Sequence, residues 1–256
     1  MFRPENGVWY FLNSQTGFSA VSFGIANDRI VPADYDGDNK ADIAVYRNGT
    51  WFLQRSRDGF ASIPFGLPDD IPQPADFDGD CKADLAVFRP SNGVWYVLNL
   101  ANNQFTAVNF GISTDKPVVA DYDGDGKADY AVYRPENGTW YMMQSTAGFA
   151  AVPFGVPTDK PVVGDYDGDG KADQAVYRPE NGVWYLNRSR DGFTAIAFGI
   201  PTDLPVPADY DGDGKTDVAV YRPEVSTWYL LKSTQGFGAV QFGIPTDKPI
   251  PNAFVP

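Results

Sequence analysis

Residues 121–129 read DYDGDGKAD, which places an aspartate at positions 1, 3, 5 and 9 of a short loop and glycine at positions 4 and 6. A loop that coils around a hard cation such as Ca²⁺ turns alternate side chains inward, and glycine adopts the positive-φ conformations that tight coiling needs. Four carboxylates this close together would repel one another without a cation between them. The stretch therefore predicts a cation site.

The same pattern is repeated along the chain, at residues 34–42, 76–84, 121–129, 165–173 and 209–217, with starts 42 to 45 residues apart. After each loop come short β-branched and aromatic runs separated by turns, and five Asn-Gly pairs stand just ahead of a tryptophan run. Such runs read as strands, and Asn-Gly is a strong hairpin signal. A four-stranded unit of roughly 44 residues is the period of a β-propeller blade.

The number of blades follows from features outside the loops. The chain has five loops, but six tryptophans and six Phe-Gly pairs stand at equivalent positions of the repeat. Residues 1–3 resemble the end of a second strand, and the tail KPIPNAFVP resembles a first strand with Ala253 where a loop would begin. We therefore predict an all-β chain, in which residues 1–256 form one six-bladed β-propeller of four-stranded antiparallel blades. The N- and C-terminal strands would pair in the last blade, which closes the ring and leaves no open edge.

Composition limits the classes of partner. The formal charge is −13, but twenty of the 33 acidic residues lie in the five loops, and five bound Ca²⁺ ions would leave about −3. There is no basic footprint for nucleic acid. The single cysteine excludes an internal disulfide framework, and no apolar run approaches the ~20 residues that span a bilayer.

The expected location is extracellular or at the cell surface. Calcium loops with dissociation constants of about 10⁻⁴ to 10⁻³ M suit extracellular calcium. The start MFRPENGVWY lacks the charged-then-apolar plan of a signal peptide, so we expect any export signal to lie upstream of it.

The loop, the PVxAD run before it and the Phe-Gly pair after it resemble the FG-GAP or VCBS-type repeat of integrin-α-like propellers, over essentially the whole chain. The resemblance implies a calcium ion between strands one and two of each looped blade, bound by the side chains at positions 1, 3, 5 and 9 and the backbone carbonyl at position 7. Two loops lack the glycine of the pattern at position 6, which is Asn39 in the first loop and Cys81 in the second. A Cβ in the left-handed conformation would cost about 1 kcal/mol or more at Cys81.

The implied ligands, five sets for five Ca²⁺ sites, are Asp34, Asp36, Asp38, Lys40 and Asp42; Asp76, Asp78, Asp80, Lys82 and Asp84; Asp121, Asp123, Asp125, Lys127 and Asp129; Asp165, Asp167, Asp169, Lys171 and Asp173; Asp209, Asp211, Asp213, Lys215 and Asp217.

Two further repeated features have alternative interpretations. The tryptophans either pack between blades or form a ring of sugar-stacking platforms. An arginine ends strand two of every copy, and an aspartate precedes every loop by six residues; these could pair across neighbouring blades, or the arginines could form an exposed array for anionic or hydroxyl-rich ligands. In the second case the candidate ligand-binding residues are Arg89, Arg134, Arg178, Arg222, Glu136 and Glu180.

The chain contains no histidine, and its one cysteine lies in a loop, so histidine-based triads and metal sites with histidine ligands are excluded. Acids outside the loops fall at equivalent positions in successive repeats, which a ring distributes instead of pairing. The sequence thus favours a non-catalytic, calcium-stabilised extracellular binding or adhesion module, with glycans or another extracellular protein as partner. The alternatives are a structural spacer attached to a larger secreted protein and a carboxylate-based polysaccharide hydrolase or lyase; the ligand and the oligomeric state stay open.

Overall fold

The computed structural model describes residues 1–14 and 16–251, in which six antiparallel sheets form a ring. Blade 1 contains β1 (Phe2–Arg3), β2 (Val8–Asn13) and β3 (Gly17–Ser22), and blade 2 contains β4 (Arg29–Ile30), β5 (Ile43–Arg47), β6 (Thr50–Arg55) and β7 (Gly59–Pro64). Blade 3 contains β8 (Ile71–Pro72), β9 (Leu85–Arg89), β10 (Val94–Leu98) and β11 (Phe105–Asn109). Blade 4 contains β12 (Lys116–Pro117), β13 (Tyr130–Arg134), β14 (Thr139–Gln144) and β15 (Gly148–Pro153).

Blade 5 contains β16 (Lys160–Pro161), β17 (Gln174–Arg178), β18 (Val183–Arg188) and β19 (Gly192–Ala197), and blade 6 contains β20 (Leu204–Pro205), β21 (Val218–Arg222), β22 (Thr227–Lys232) and β23 (Gly236–Gln241). Within the described ranges the one helical element is the short 3₁₀ turn Pro223–Val225. No helix among the described residues is long and apolar enough to cross a membrane. The six-bladed propeller is confirmed.

Blade 1 is closed by the two ends of the chain. Its three strands pair as β1-β2-β3, and Lys248 adds the fourth position by pairing with Phe2. The Phe2 amide donates to the Lys248 carbonyl at 2.9 Å, and the Lys248 amide donates back at 2.8 Å. The predicted closure is therefore confirmed, while the predicted role of Ala253 lies outside the described residues.

The tryptophans lie between blades. Their side chains are at most 9% exposed, and each indole N–H donates to the carbonyl of the phenylalanine in the same blade's Phe-Gly pair, as Trp140 does to Phe154 at 2.9 Å. Trp51 packs in one cluster with Leu85 and Val87 of the next blade. Packing between blades is thus confirmed, and the interpretation of the tryptophans as sugar-stacking platforms is wrong, because both faces of each sheet are covered.

Neighbouring blades also touch through the residues that flank each loop. An ideal Cβ added to Gly164 in blade 5 would lie 2.5 to 2.8 Å from three side-chain atoms of Thr216 in blade 6. The equivalent residues at three other junctions are both alanine, for example Ala120 and Ala172. The glycine therefore accommodates the larger threonine.

We predict that Gly164→Ala destabilises the fold by about 1–3 kcal/mol, because it overpacks this contact. Adding Thr216→Ala to that variant should recover most of the loss, since it recreates the pairing found elsewhere in the ring. Urea unfolding of the two single variants and the double variant measures both effects. Equal stability of the single Gly164→Ala variant and the unchanged protein would contradict this account of the junction.

Candidate functional site

The five acidic loops lie between strands one and two of blades 2 to 6, as predicted. In each loop the carboxylates of positions 1, 3 and 9 offer ligand atoms that all lie within 4.8 Å of one another. The triads are Asp34, Asp36 and Asp42; Asp76, Asp78 and Asp84; Asp121, Asp123 and Asp129; Asp165, Asp167 and Asp173; Asp209, Asp211 and Asp217. Each set is compatible with a bound metal ion.

The aspartate at position 1 shapes the loop. In blade 4, Asp121 Oδ1 accepts the amide of Gly124 at 2.6 Å, and Oδ2 accepts the amide of Gly126 at 2.8 Å. Both glycines have positive φ, of 78° and 84°. The backbone thus curls around one carboxylate, which explains why glycine stands at positions 4 and 6.

The aspartate at position 9 is buried and fixed from two sides. Asp173 Oδ2 accepts the amide of Tyr166 at 2.8 Å, and its Oδ1 accepts the amide of Ser189 at 2.7 Å. Burial raises the pKa of Asp173 to about 6, and it raises the pKa of the equivalent Asp84 to about 6 as well. Desolvation disfavours the charged form, and a nearby cation would restore it.

The aspartate at position 3 provides the strongest test of whether a cation fits. Asp167 Oδ2 accepts two backbone amides, of Arg190 and Asp191, from the turn between strands three and four. Its Oδ1 is buried and has no hydrogen-bond partner, and the same holds for Asp36, Asp123 and Asp211. A buried carboxylate oxygen without a partner is costly, so an oxygen-loving cation fits these four loops.

The carboxylate at position 5 and the carbonyl at position 7, which were also predicted ligands, are not part of the triad formed by positions 1, 3 and 9. Asp169 at position 5 is outside the triad: its Oδ1 accepts the Lys171 amide and its Oδ2 accepts the Ser189 hydroxyl at 2.6 Å. The structure therefore brings together three of the four predicted carboxylates in each loop. The carboxylates at position 5 and the carbonyls at position 7 stay predicted ligands.

Sequence reasoning missed the contribution of the turn between strands three and four. A serine follows strand three in four blades, and its hydroxyl and amide bond to positions 5 and 9 of the loop. These serines are Ser56, Ser145, Ser189 and Ser233. Their recurrence at one position of the repeat was the available signal.

Blade 3 carries the most divergent loop. Its Asp78 is exposed and accepts a hydrogen bond from the Asn99 side chain, and Leu100 stands where the other looped blades have serine. Cys81 occupies position 6 with a φ of 65°, and Asn39 does so in blade 2 with a φ of 61°. Both residues adopt the left-handed conformation that glycine adopts in the other three loops.

We predict that Cys81→Gly stabilises the protein by about 1 kcal/mol, because it relieves a left-handed Cβ. Asn39→Gly is the matched control and should change stability less, since asparagine tolerates this conformation. Thermal unfolding of the two variants under one buffer compares them. A larger gain from Asn39→Gly than from Cys81→Gly would contradict the prediction.

The raised pKa of position 9 predicts how metal binding depends on pH. Without metal, the folded state binds protons at Asp84 and Asp173 more tightly than the unfolded chain, so this contribution to stability grows as the pH falls from about 6. A cation must displace those protons. We expect the stabilisation by Ca²⁺ to be smaller at pH 5.5 than at pH 7.5, and melting curves with and without chelator at both pH values measure it; an equal shift would contradict the coupling.

The opposite end of each strand two carries the arginines, which are paired with aspartates. Arg178 Nε and Nη2 donate to Asp159 Oδ1 and Oδ2 at 2.8 and 2.9 Å. Every blade repeats this two-point contact, in the pairs Arg3–Asp247, Arg47–Asp28, Arg89–Asp70, Arg134–Asp115, Arg178–Asp159 and Arg222–Asp203. Pairing is confirmed, but the prediction that it crosses between neighbouring blades is wrong: the aspartate immediately precedes strand one, which lies beside strand two of the same sheet.

Other candidate ligand-binding residues surround these pairs. The Arg134 guanidinium lies 4.4 Å from the Tyr141 ring centroid, and Asn137 donates to the Tyr141 hydroxyl at 2.9 Å. Glu136 and Glu180 are exposed in the adjacent turns. The candidate arginines are thus held in place by carboxylates and aromatic rings, while the two glutamates face solvent; a role for any of them in ligand binding stays a prediction.

One exposed phenylalanine stands near the start of the last strand of every blade. These last-strand phenylalanines are Phe18, Phe60, Phe105, Phe149, Phe193 and Phe237, and they are 58% to 66% exposed. Phe149 contacts Phe110 of the preceding blade edge to face at 6.4 Å, and Phe105 stacks 6.2 Å from Tyr96 of its own blade. The structure thus shows a repeated aromatic surface that the sequence reasoning did not single out.

The chain belongs to the FG-GAP-like repeat family. The family's repeat matches residues 76–132, 121–176 and 165–220, which together span more than half of the chain. The fold and the acidic loops described above are those of a repeat propeller of this kind. At the level of sequence, no curated protein matches the chain.

Solved structures of similar shape are distant in sequence. A virginiamycin B lyase from Staphylococcus aureus, a catalytically inactive variant with quinupristin, superposes with a TM-score of 0.63 at 8% identity, over 96% of this chain and 81% of that one. A streptogramin B lyase gives 0.61 at 10% identity, over 94% and 78%. An Agrocybe aegerita lectin that recognises non-reducing terminal N-acetylglucosamine gives 0.59 at 16% identity, over 90% and 72%. These likenesses show the fold alone.

Proposed function

We propose that the chain is a single, calcium-stabilised propeller domain that acts outside the cell as a multivalent binding module, with glycans as the ligand class. The observation that carries the proposal is the sixfold repetition of one exposed aromatic surface. Each blade presents a last-strand phenylalanine that is 58% to 66% exposed, including blade 1, which has no described acidic loop. Exposed apolar rings that recur at one position indicate a contact surface.

Multivalency follows from this geometry. Six similar shallow surfaces on one rigid ring can engage several copies of a ligand, so weak individual contacts add up to useful avidity. The lectin among the similar structures has a related fold and recognises a terminal sugar, which supports the choice of glycans for the first test.

The test is a glycan and polysaccharide array at millimolar Ca²⁺, followed by titration of any glycan that binds. Phe149→Ala combined with Phe193→Ala should weaken binding at least tenfold while leaving the fold intact, because both rings are largely exposed. Glu136→Gln combined with Glu180→Gln is the matched variant on the face of the arginine pairs. Silence across the array would contradict the glycan-binding role, and a loss confined to the glutamate variant would move the ligand to the arginine face.

A non-catalytic role is part of the proposal. The chain has no histidine, whereas one lyase of similar fold is described as catalytically inactive after substitution of a histidine. All six aspartates of the arginine pairs are already engaged. Release of reducing ends or unsaturated products from polysaccharides by the purified protein would overturn this part.

One observation favours a structural spacer as the second candidate. The face opposite the acidic loops carries a closed Arg–Asp pair in every blade, as expected if that face serves stability. Such a spacer would show no ligand on the array and would lose stability when either partner of a pair is removed.

A further inference from the structure

The acidic loops are linked to one another around the ring. The amide of loop position 8 donates to the carbonyl of position 1 in the preceding loop: Ala83 to Asp34, Ala128 to Asp76, Ala172 to Asp121 and Thr216 to Asp165, at 2.6 to 2.7 Å. Each looped blade after the first therefore rests on the loop before it.

A second contact accompanies each of these hydrogen bonds. The lysine at position 7 lies over the glycine at position 4 of the preceding loop, so a Cβ on Gly124 would meet three Lys171 side-chain carbons at 3.1 to 3.7 Å. The same holds for Gly37 with Lys82, Gly79 with Lys127 and Gly168 with Lys215. Each junction therefore joins two loops. One loop supplies the position-7 lysine and the position-8 amide, and the preceding loop supplies the position-4 glycine and the position-1 carbonyl.

The series is interrupted at blade 1. Among the described residues no amide donates to the Asp209 carbonyl, and a Cβ on Gly212 would meet nothing within 4 Å. On the other side of blade 1, Lys40 covers no glycine and its side chain is 72% exposed. In the part of the chain that the structure describes, the Asp209 carbonyl of the blade 6 loop therefore accepts no backbone amide, and Lys40 of the blade 2 loop pairs with Asp38 of its own loop instead of covering a neighbouring one.

A cleft of about 970 Å³ opens at this interruption, between blades 6 and 1. Trp9, Leu12, Trp228 and Leu230 contribute apolar surface to its lining, and Asp209 and Asp211 line it as well. Trp228 is 9% exposed, whereas Trp140 and Trp184 at filled junctions are fully buried. Over residues 1–14 and 16–251, the cleft is therefore a blade junction without the acidic loop found at the others.

We propose that this cleft binds a polypeptide loop supplied by another protein, whose lysine followed by a small residue docks on Gly212 and the Asp209 carbonyl. The choice of occupant follows from the four filled junctions, where the same carbonyl and glycine are covered by that pair of residues. Charge complementarity agrees, because three carboxylates of residues 209–213 would attract the lysine.

The probe is a fluorescent peptide with the sequence of residues 117–134, PVVADYDGDGKADYAVYR, which contains both the lysine and the small residue. Fluorescence anisotropy with the whole protein in Ca²⁺ should show saturable binding. A peptide with glutamate in place of that lysine should bind at least tenfold more weakly. Absence of saturable binding would overturn the proposal.

Two protein variants distinguish peptide binding in the cleft from a general effect of changing the blade 6 loop. Gly212→Asn places a side chain where the lysine would lie, and it should weaken peptide binding at least tenfold. Gly214→Asn is the matched control, because asparagine occurs naturally at this loop position as Asn39 and a Cβ there also meets nothing within 4 Å. Equal binding by the two variants would overturn the assignment to this cleft.

A third variant, which ends at residue 251, tests whether the chain fills its own cleft. Binding of the peptide by the shortened protein but not by the full chain would overturn the proposal in favour of an internal segment. Because the readout is peptide binding, the result is independent of any glycan bound at the last-strand phenylalanines.

Discussion

Removal of calcium with a chelator should lower the melting temperature of the protein by about 20 °C or more, since at a hundredfold excess over the dissociation constant each site adds about 2.7 kcal/mol. The physical reason lies at position 3 of the loops, where Asp36, Asp123, Asp167 and Asp211 each keep a buried oxygen without a partner. Without a cation these oxygens and the neighbouring carboxylates repel one another and lack their solvation. Calorimetric melting with Ca²⁺, with chelator and after calcium is restored measures the effect.

The control for this prediction is a single-site change. Asp167→Ala should remove about one fifth of the calcium-dependent shift, because the other four loops keep their carboxylates. Native mass spectrometry should then count one ion fewer than in the unchanged protein. A melting temperature that does not respond to chelator would contradict the role of the loops as structural metal sites.

Loss of one arginine from the opposite face should also destabilise the fold strongly. Arg178→Ala leaves the carboxylate of Asp159, which is 0% exposed, with the Val156 amide as its remaining hydrogen-bond donor. An uncompensated buried charge of this kind costs about 3–5 kcal/mol. Urea unfolding in Ca²⁺ should show the full loss, with little change in calcium stoichiometry, because the pair lies at the far end of strand two from the loop.

Glu180→Ala is the matched surface variant, since Glu180 lies two residues away and is exposed. It should change stability by less than about 0.5 kcal/mol. Arg3→Ala should cost at least as much as Arg178→Ala, because the Arg3–Asp247 pair also joins the two ends of the chain. If Arg178→Ala unfolds like the unchanged protein yet loses ligand, the arginines are binding residues instead of structural ones.

The sequence alone determined the architecture. In a repeat protein every blade shows the same strand and turn signals, so a wrong assignment in one repeat is corrected by comparison with the others. The period of the loops, the six tryptophans and the match of residues 1–3 to a strand end were enough to predict six blades and their closure. Three carboxylates of each predicted metal set were also found together, since the spacing within nine residues fixes their positions with little help from the rest of the fold.

Only the tertiary structure showed which side chains from segments distant in sequence contact one another. Sequence order placed the arginines and their aspartates 19 residues apart in five blades, and only the sheet showed that each pair lies within one blade. The serines that brace the loops, the exposure of the last-strand phenylalanines and the interrupted junction at blade 1 depend on contacts between distant segments. Local spacing specifies a loop, but burial and hydrogen bonding are properties of the folded ring, and they distinguish the end that carries the acidic loops from the surfaces exposed elsewhere.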